Sequence, residues 1–133
     1  MLRVVIATIV VAVTLIGGPA LAQGLAQDPE RGPVPDWVVP TPPSDALPAA
    51  DDAPIRLLAV DEQVRFDAEG VHTYHLRRIQ VQTRQGLPYV STISNEWSPP
   101  RERLVIHAVR ILRGDQVIDA LEGQTFQTLR RED

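Results

Sequence analysis

Cysteine is absent from the 133-residue chain. That single absence removes disulfides, thiolate metal sites, a cysteine nucleophile and a lipid-modified N-terminal cysteine. A folded part must rest on its core alone, even in an oxidising compartment. Lysine is absent as well: all thirteen basic residues are Arg, set against seventeen Asp and Glu. This mild acidity supplies no basic field for nucleic acid or an anionic membrane surface, so no nucleic-acid partner is expected. A persistent 3.6-residue apolar period is also missing beyond the N-terminal run, which leaves strands as the elements of the fold.

What is present first is an export signal. Arg3 gives a short positive start, and Val4 to Ile16 is an almost unbroken apolar run. Gly17, Gly18 and Pro19 break a helix, and Ala20-Leu21-Ala22 offers the small-x-small pattern of a signal peptidase site. The expectation is a signal peptide over residues 1–22, cut between Ala22 and Gln23. The run is short of the roughly twenty residues that span a hydrocarbon core. No stable membrane span is therefore expected after cleavage, and an uncleaved anchor is the alternative. Loss of Arg3 takes the net charge from −4 to −5, twelve Arg against seventeen acids. The destination is periplasmic or secreted.

Residues 23–54 hold eight of the twelve prolines, Pro29, Pro33, Pro35, Pro40, Pro42, Pro43, Pro48 and Pro54. Proline fixes φ, lacks the N–H of a ladder and pushes its predecessor toward extended geometry. The composition predicts a Pro-rich flexible linker, semi-rigid and polyproline-like, with Trp37, Val38 and Val39 able to pack back as a short edge strand or to lie exposed. Pro40, Pro42 and Pro43 also fit a partner's ligand motif, though a spacer is the default.

The folded region is read as residues 55–133, an all-β, antiparallel β-sandwich-like domain. Leu58, Val60, Val64 and Phe66 share one parity and predict the buried face of a first strand. Ala68-Glu69-Gly70 predicts a three-residue hairpin loop, its Gly at positive φ, into a second strand, Val71 to Arg84. The apolar phase changes between Leu76 and Ile79, which predicts a bulge near Arg77-Arg78. Gln85-Gly86-Leu87-Pro88 turns the chain into a third strand, Tyr89 to Trp97, closed by Pro99-Pro100. Leu104 to Leu112 is apolar on both parities, which suits a strand covered on both faces, although its length also permits a helix; the turn that follows favours the strand. Arg113-Gly114-Asp115 then turns into Val117-Ile118. Phe126 and Leu129 form a last apolar set close to the end of the sequence. Fewer than eighty residues from Ile55 onward make a marginal core, and an unfinished sheet edge invites a covering segment. The domain is expected to be incomplete, with something following Asp133 or docking on that edge.

The chemistry-bearing residues form no recognisable site. His72 and His75, three apart on a strand, lie on opposite faces and do not converge on one ion. His107, alone in an apolar strand, reads as a hydrogen-bonded core imidazole. Ser91, Ser94 and Ser98 read as surface polar groups, without the strand-to-helix elbow of a nucleophilic serine. Glu96 and Glu102 flank Trp97 in a faint echo of a sugar-binding corner. Arg113-Gly114-Asp115, which spells an adhesion tripeptide, reads as a β-turn. No catalytic, cofactor-binding or metal-ligating residue is assigned, and the chain is not expected to be an enzyme.

One resemblance runs along the folded region. Tyr74, Arg77-Arg78-Ile79-Gln80-Val81-Gln82-Thr83 and Gln85-Gly86-Leu87 carry it first. Trp97-Ser98-Pro99, Val105 to Arg113, Val117-Ile118-Asp119, and Phe126 with Leu129-Arg130-Arg131-Glu132 continue it. From about Pro54 to Asp133 the chain resembles the N-terminal domain of unknown function that precedes the papain-like core of bacterial transglutaminase-like exported proteins. The resemblance implies an exported β domain beside a core whose Cys, His and Asp do the chemistry. None of those catalytic residues maps onto this sequence. The expected function is a non-catalytic accessory or interaction domain that positions or gates such a core, with the core or an envelope protein docking on the exposed sheet edge. The alternative is a stand-alone envelope ligand-binding module using Trp97, Tyr89 and the nearby glutamates. A small hydrolase using His107 or a serine is a third reading that no motif supports.

Overall fold

A computed structural model describes residues 7–17, 28–48, 51–99 and 101–129, with the backbone alone for 7–10 and 17. Arg3, the Ala22–Gln23 bond, Pro100 and Arg130-Arg131-Glu132 lie outside the described residues. The fold is all-β: among the described residues six strands form one open, mixed sheet with a single short helix. The strands are β1 (Ala7–Gly17), β2 (Glu30–Arg31), β3 (Ile55–Asp67), β4 (Gly70–Val81), β5 (Glu102–Arg113) and β6 (Gln116–Asp119). Their order is β2-β5-β1-β4-β3, with β6 also pairing with β5. All pairings are antiparallel except β2 with β5.

The central strand is the apolar run that reads as the core of the export signal. β1 pairs with β4 from Ala7 opposite Val81 to Gly17 opposite Val71, and with β5 from Ala7 opposite Arg113 to Gly17 opposite Glu102. Its β-branched composition suits a strand buried on both faces. The β1–β5 register shifts between Ala12, opposite Ala108, and Val13, opposite Ile106, so His107 is an unpaired extra residue.

One face of the sheet is covered by the Pro-rich segment, which forms a strap rather than a second sheet. Val38 turns inward, its N–H donating to the Pro35 carbonyl at 3.0 Å, and is buried with Ala12, Tyr74 and Leu76. Polar side chains on β3 and β4 hold the rest. Gln63 accepts from the Val39 N–H at 2.8 Å and donates to its carbonyl at 2.7 Å. Gln80, 1 % exposed, does the same for Leu47 at 3.0 and 2.7 Å. Arg78 donates to the carbonyls of Thr41 and Pro42, and Gln82 to the Ala53 carbonyl. Beyond β2 and Gly32 the strap backbone follows no strand ladder, and glutamine amides, which both donate and accept, satisfy it at Val39 and Leu47. Proline composition predicts extension, as found; it does not show the docking, which depends on side chains thirty residues away.

The opposite face holds the larger core. Val13, Leu104, Ile106 and Val109 are buried there, with Val90, Trp97, Leu121 and Phe126 packed around them. Two expected elements differ. Residues Tyr89 to Trp97 are not a strand: Leu87–Val90 is a helical turn (α1), begun by Pro88 in its first positions, and residues 91–99 are irregular. Proline is suited to a helix start and cannot donate to a ladder. The bulge expected in β4 is absent; β4 keeps one parity throughout, and the extra residue is Leu58 on β3, between Leu57 and Ala59. The apolar phase change in β4 arises because Gln80 and Gln82 face the strap. Gly70 and Gly114 take positive φ, 136° and 58°, as turn glycines do. Gly114 lies within the two-residue β5–β6 turn, whereas Gly70 opens β4 opposite Asp67, so Ala68-Glu69 make a two-residue turn in place of the expected three-residue loop.

Acid should release the strap. Gln82 holds the Asp51 carboxylate below its usual range, and the Thr41 hydroxyl followed by Gln63 does so for Asp61. On β2, hydrogen bonding from Arg103 lowers Glu30. A carboxyl with a lowered folded pKa adds stability that is complete above its unfolded value and is lost as pH falls through the folded one. The unfolded references are 3.8 for Asp and 4.5 for Glu. Hydrogen exchange should therefore show residues 30–53 losing protection below about pH 4 while β4 and β5 keep theirs. Simultaneous loss across the sheet would contradict this.

Candidate interaction surface

The sheet face opposite the strap is covered over β1 and β5 but not over β3. Asp61 and Gln63, the polar parity of β3, point toward the strap. The apolar parity, read from sequence as the buried face, points outward: Val60 is 59 % exposed, Val64 47 % and Phe66 76 %. Leu57, displaced onto this side by the Leu58 bulge, and Val71, opposite Phe66, are exposed too. A strand buries whichever face has cover, and here the cover is the strap, which offers backbone polar groups. Four apolar side chains of the edge strand β3 and Val71 of β4 are thus left in water on one face, with Glu62 between Val60 and Val64. Exposed apolar side chains grouped on one sheet face mark a candidate interaction surface.

Other residues singled out in the sequence occupy defined places. His72 is buried beside Trp37, whereas His75 lies on the other face with Nδ1 3.6 Å from Glu62. His107 Nδ1–H donates to the Gly32 carbonyl at 3.0 Å, and its Nε2 accepts from the Thr14 hydroxyl. With both ring nitrogens engaged, the imidazole is a structural bridge between β1, β5 and the strap. The Ser91 hydroxyl donates to the Pro88 carbonyl, and the Ser98 N–H donates to Glu102 at 2.6 Å. Trp97 is partly buried against the Val13–Leu104 core, while Tyr89 and Glu96 of the expected sugar platform are exposed. Ser94 and Glu96 line a groove of about 320 Å³ between residues 89–96 and the sheet, where Val13, Leu15 and His75 form the floor. Gly114-Asp115 forms the turn between β5 and β6, as its tripeptide predicts, with Gly114 at φ 58°.

A cluster that sequence reasoning missed lies at the β3–β4 turn. Ligand-capable atoms of Asp67, Glu69 and His72 fall within 4.8 Å of one another. Asp67 accepts from His72 Nε2 at 3.0 Å and from the Glu69 N–H at 2.9 Å, while Arg65 Nε sits 3.2 Å away. Hydrogen bonding from His72 is the main cause holding its carboxyl below the usual range. This carboxylate is already satisfied by three donors, and the arrangement locks the turn. The signal for it was diagonal pairing across the hairpin, since His72 lies opposite Arg65, two residues from Asp67.

No helix among the described residues is long and apolar enough to cross a membrane. The pattern of a family described as a domain of unknown function, DUF3857, matches residues 67–133. No curated protein matches the chain, and no solved structure does. The match takes in β4, α1, β5 and β6, and leaves out the strap, β1 and β3.

Proposed function

This chain belongs to the DUF3857 family of domains of unknown function, and from that premise we propose that it is an exported, non-catalytic accessory domain. It docks through the outward face of β3 on the papain-like core of a transglutaminase-like protein and positions or gates that core. The observation that carries this reading is the uncovered apolar set Leu57, Val60, Val64, Phe66 and Val71 beside a free strand edge. The residue pattern from Tyr74 through Arg131 supports the choice of partner, and Arg3, the apolar run and Ala20-Leu21-Ala22 support export to the periplasm or beyond.

The experiment is binding of the chain to a transglutaminase-like core encoded with it, measured by calorimetry. Phe66→Asp and Val60→Asp place a charge in the interface at side chains that already lie mostly in water, 76 % and 59 % exposed. Each should weaken binding by at least about tenfold, roughly 1.4 kcal/mol, while leaving the unfolding midpoint nearly unchanged. Unaltered binding by both variants would overturn the docking face. Absence of binding by the unaltered chain would overturn the partner.

A further inference from the structure

β4 and β5, the two longest strands in the family-matched half, do not pair with each other. Each presents a full inner edge to β1, and β1 satisfies both over eleven residues. The export reading assigns that same segment to removal. Cutting at Ala22 would leave two facing rows of unpaired N–H and C=O groups through the middle of the sheet, a costly state in any buried ladder. It would also strip Val13 from the Leu104–Val109 core, Ala12 from Tyr74 and Leu76, and Thr14 from His107.

We propose that the channel between β4 and β5 is a strand-acceptor site, which a strand from a partner polypeptide fills once the signal segment has left. The inference rests on the export reading. Among the described residues after Ala22 no spare run matches β1: the strap is rich in proline, and the apolar runs of β3, β4 and β5 already belong to the sheet. β1 itself shows what the channel takes. The occupant is extended, antiparallel to both walls and uncharged over about eleven residues, a length set by strand rise and pairing. Toward the strap it carries small or hydroxyl side chains at its centre, as Ala12 (3 % exposed) and Thr14 (1 %) do beneath Tyr74 and beside His107, and an aliphatic beyond them, as Ile16 does near Trp37. Toward the other face it carries branched aliphatics, as Val11, Val13 and Leu15 do. Main-chain bonds give affinity and this alternation gives direction and register, the logic of strand addition.

The test uses the folded full chain with a specific protease site placed between Ala22 and Gln23. After cleavage, a fluorescent peptide of residues 7–17 with solubilising ends is added, alongside the same peptide carrying Val13→Asp. Exchange of the resident segment for the first peptide is expected, with at least about a hundredfold preference over the second, since burying an unpaired charge is strongly disfavoured. Hydrogen exchange should show β4 and β5 deprotected in cleaved, peptide-free chain and reprotected by the first peptide. Full protection without any peptide would mean that β4 and β5 close on each other, and equal entry of both peptides would mean no specific site; either overturns the proposal. N-terminal sequencing of the natural product reads the export premise separately. A chain starting at Met1 would make β1 a resident strand and overturn replacement, whatever the peptide result.

Discussion

Leu104→Ala should lower the unfolding free energy by about 2–5 kcal/mol, a large part of the roughly 5–15 kcal/mol typical of a domain. Leu104 is 3 % exposed, opposite Leu15 in the ladder, and packed with Val13, Ile106 and Val109. The cavity cannot easily collapse, because the backbones of β1 and β5 on one side are fixed by their pairing. Urea denaturation measures the loss. A change below about 1 kcal/mol would show that this face is not the main core. Phe66, a larger side chain, should behave oppositely in the free chain, because most of its surface is already in water.

Gly86→Ala should cost about 2–3 kcal/mol and lower the melting temperature by roughly 10 °C. The reason is space rather than backbone conformation, since Gly86 has an ordinary φ of −75°. A Cβ there would lie 2.2 Å from the Pro54 carbonyl oxygen and 2.9 Å from its carbon. That oxygen accepts from the N–H groups of Gln82 and Thr83 at 3.0 and 3.4 Å, so it cannot retreat without releasing them. The contact ties the end of the strap to the end of β4. Gly114→Ala is the instructive comparison. Nothing lies within 4 Å of its Cβ position, and only the cost of φ +58°, about 1–2 kcal/mol, applies. Calorimetric melting of both variants should rank Gly86 as the more costly; the reverse order would contradict the close approach.

Local signals explain which parts of the fold were legible in the sequence. Gly70 and Gly114 announced their turns, the double-parity run of Leu104–Leu112 announced a strand covered on both faces, and an isolated His107 announced a bonded imidazole. The failures share a cause. The parity of β3 was read as apolar inside, because sequence alternation says that two faces differ but not which one will find cover. The same gap turned the Gln80 and Gln82 side of β4 into an apparent bulge. Glutamine on a buried face has meaning only when a distant backbone, here Leu47 and Ala53, needs its amide. Residues 89–97 looked strand-like by composition, yet Pro88 at a helix start and the bend-forming residues after it decided otherwise. The interaction surface was visible only as the expectation of an unfinished edge. Val60, Val64 and Phe66 carry the apolar parity that alternation predicts, on the opposite side; Leu57 and Val71 join them only because the Leu58 bulge and the hairpin pairing put them there.

Hydrogen-exchange footprinting of the chain, alone and with a transglutaminase-like core, tests the docking face most directly. The account predicts new protection concentrated in residues 55–71, along β3 and the turn into β4, with the strap unchanged. Protection confined to the strap, or to the groove beside Tyr89, would contradict it.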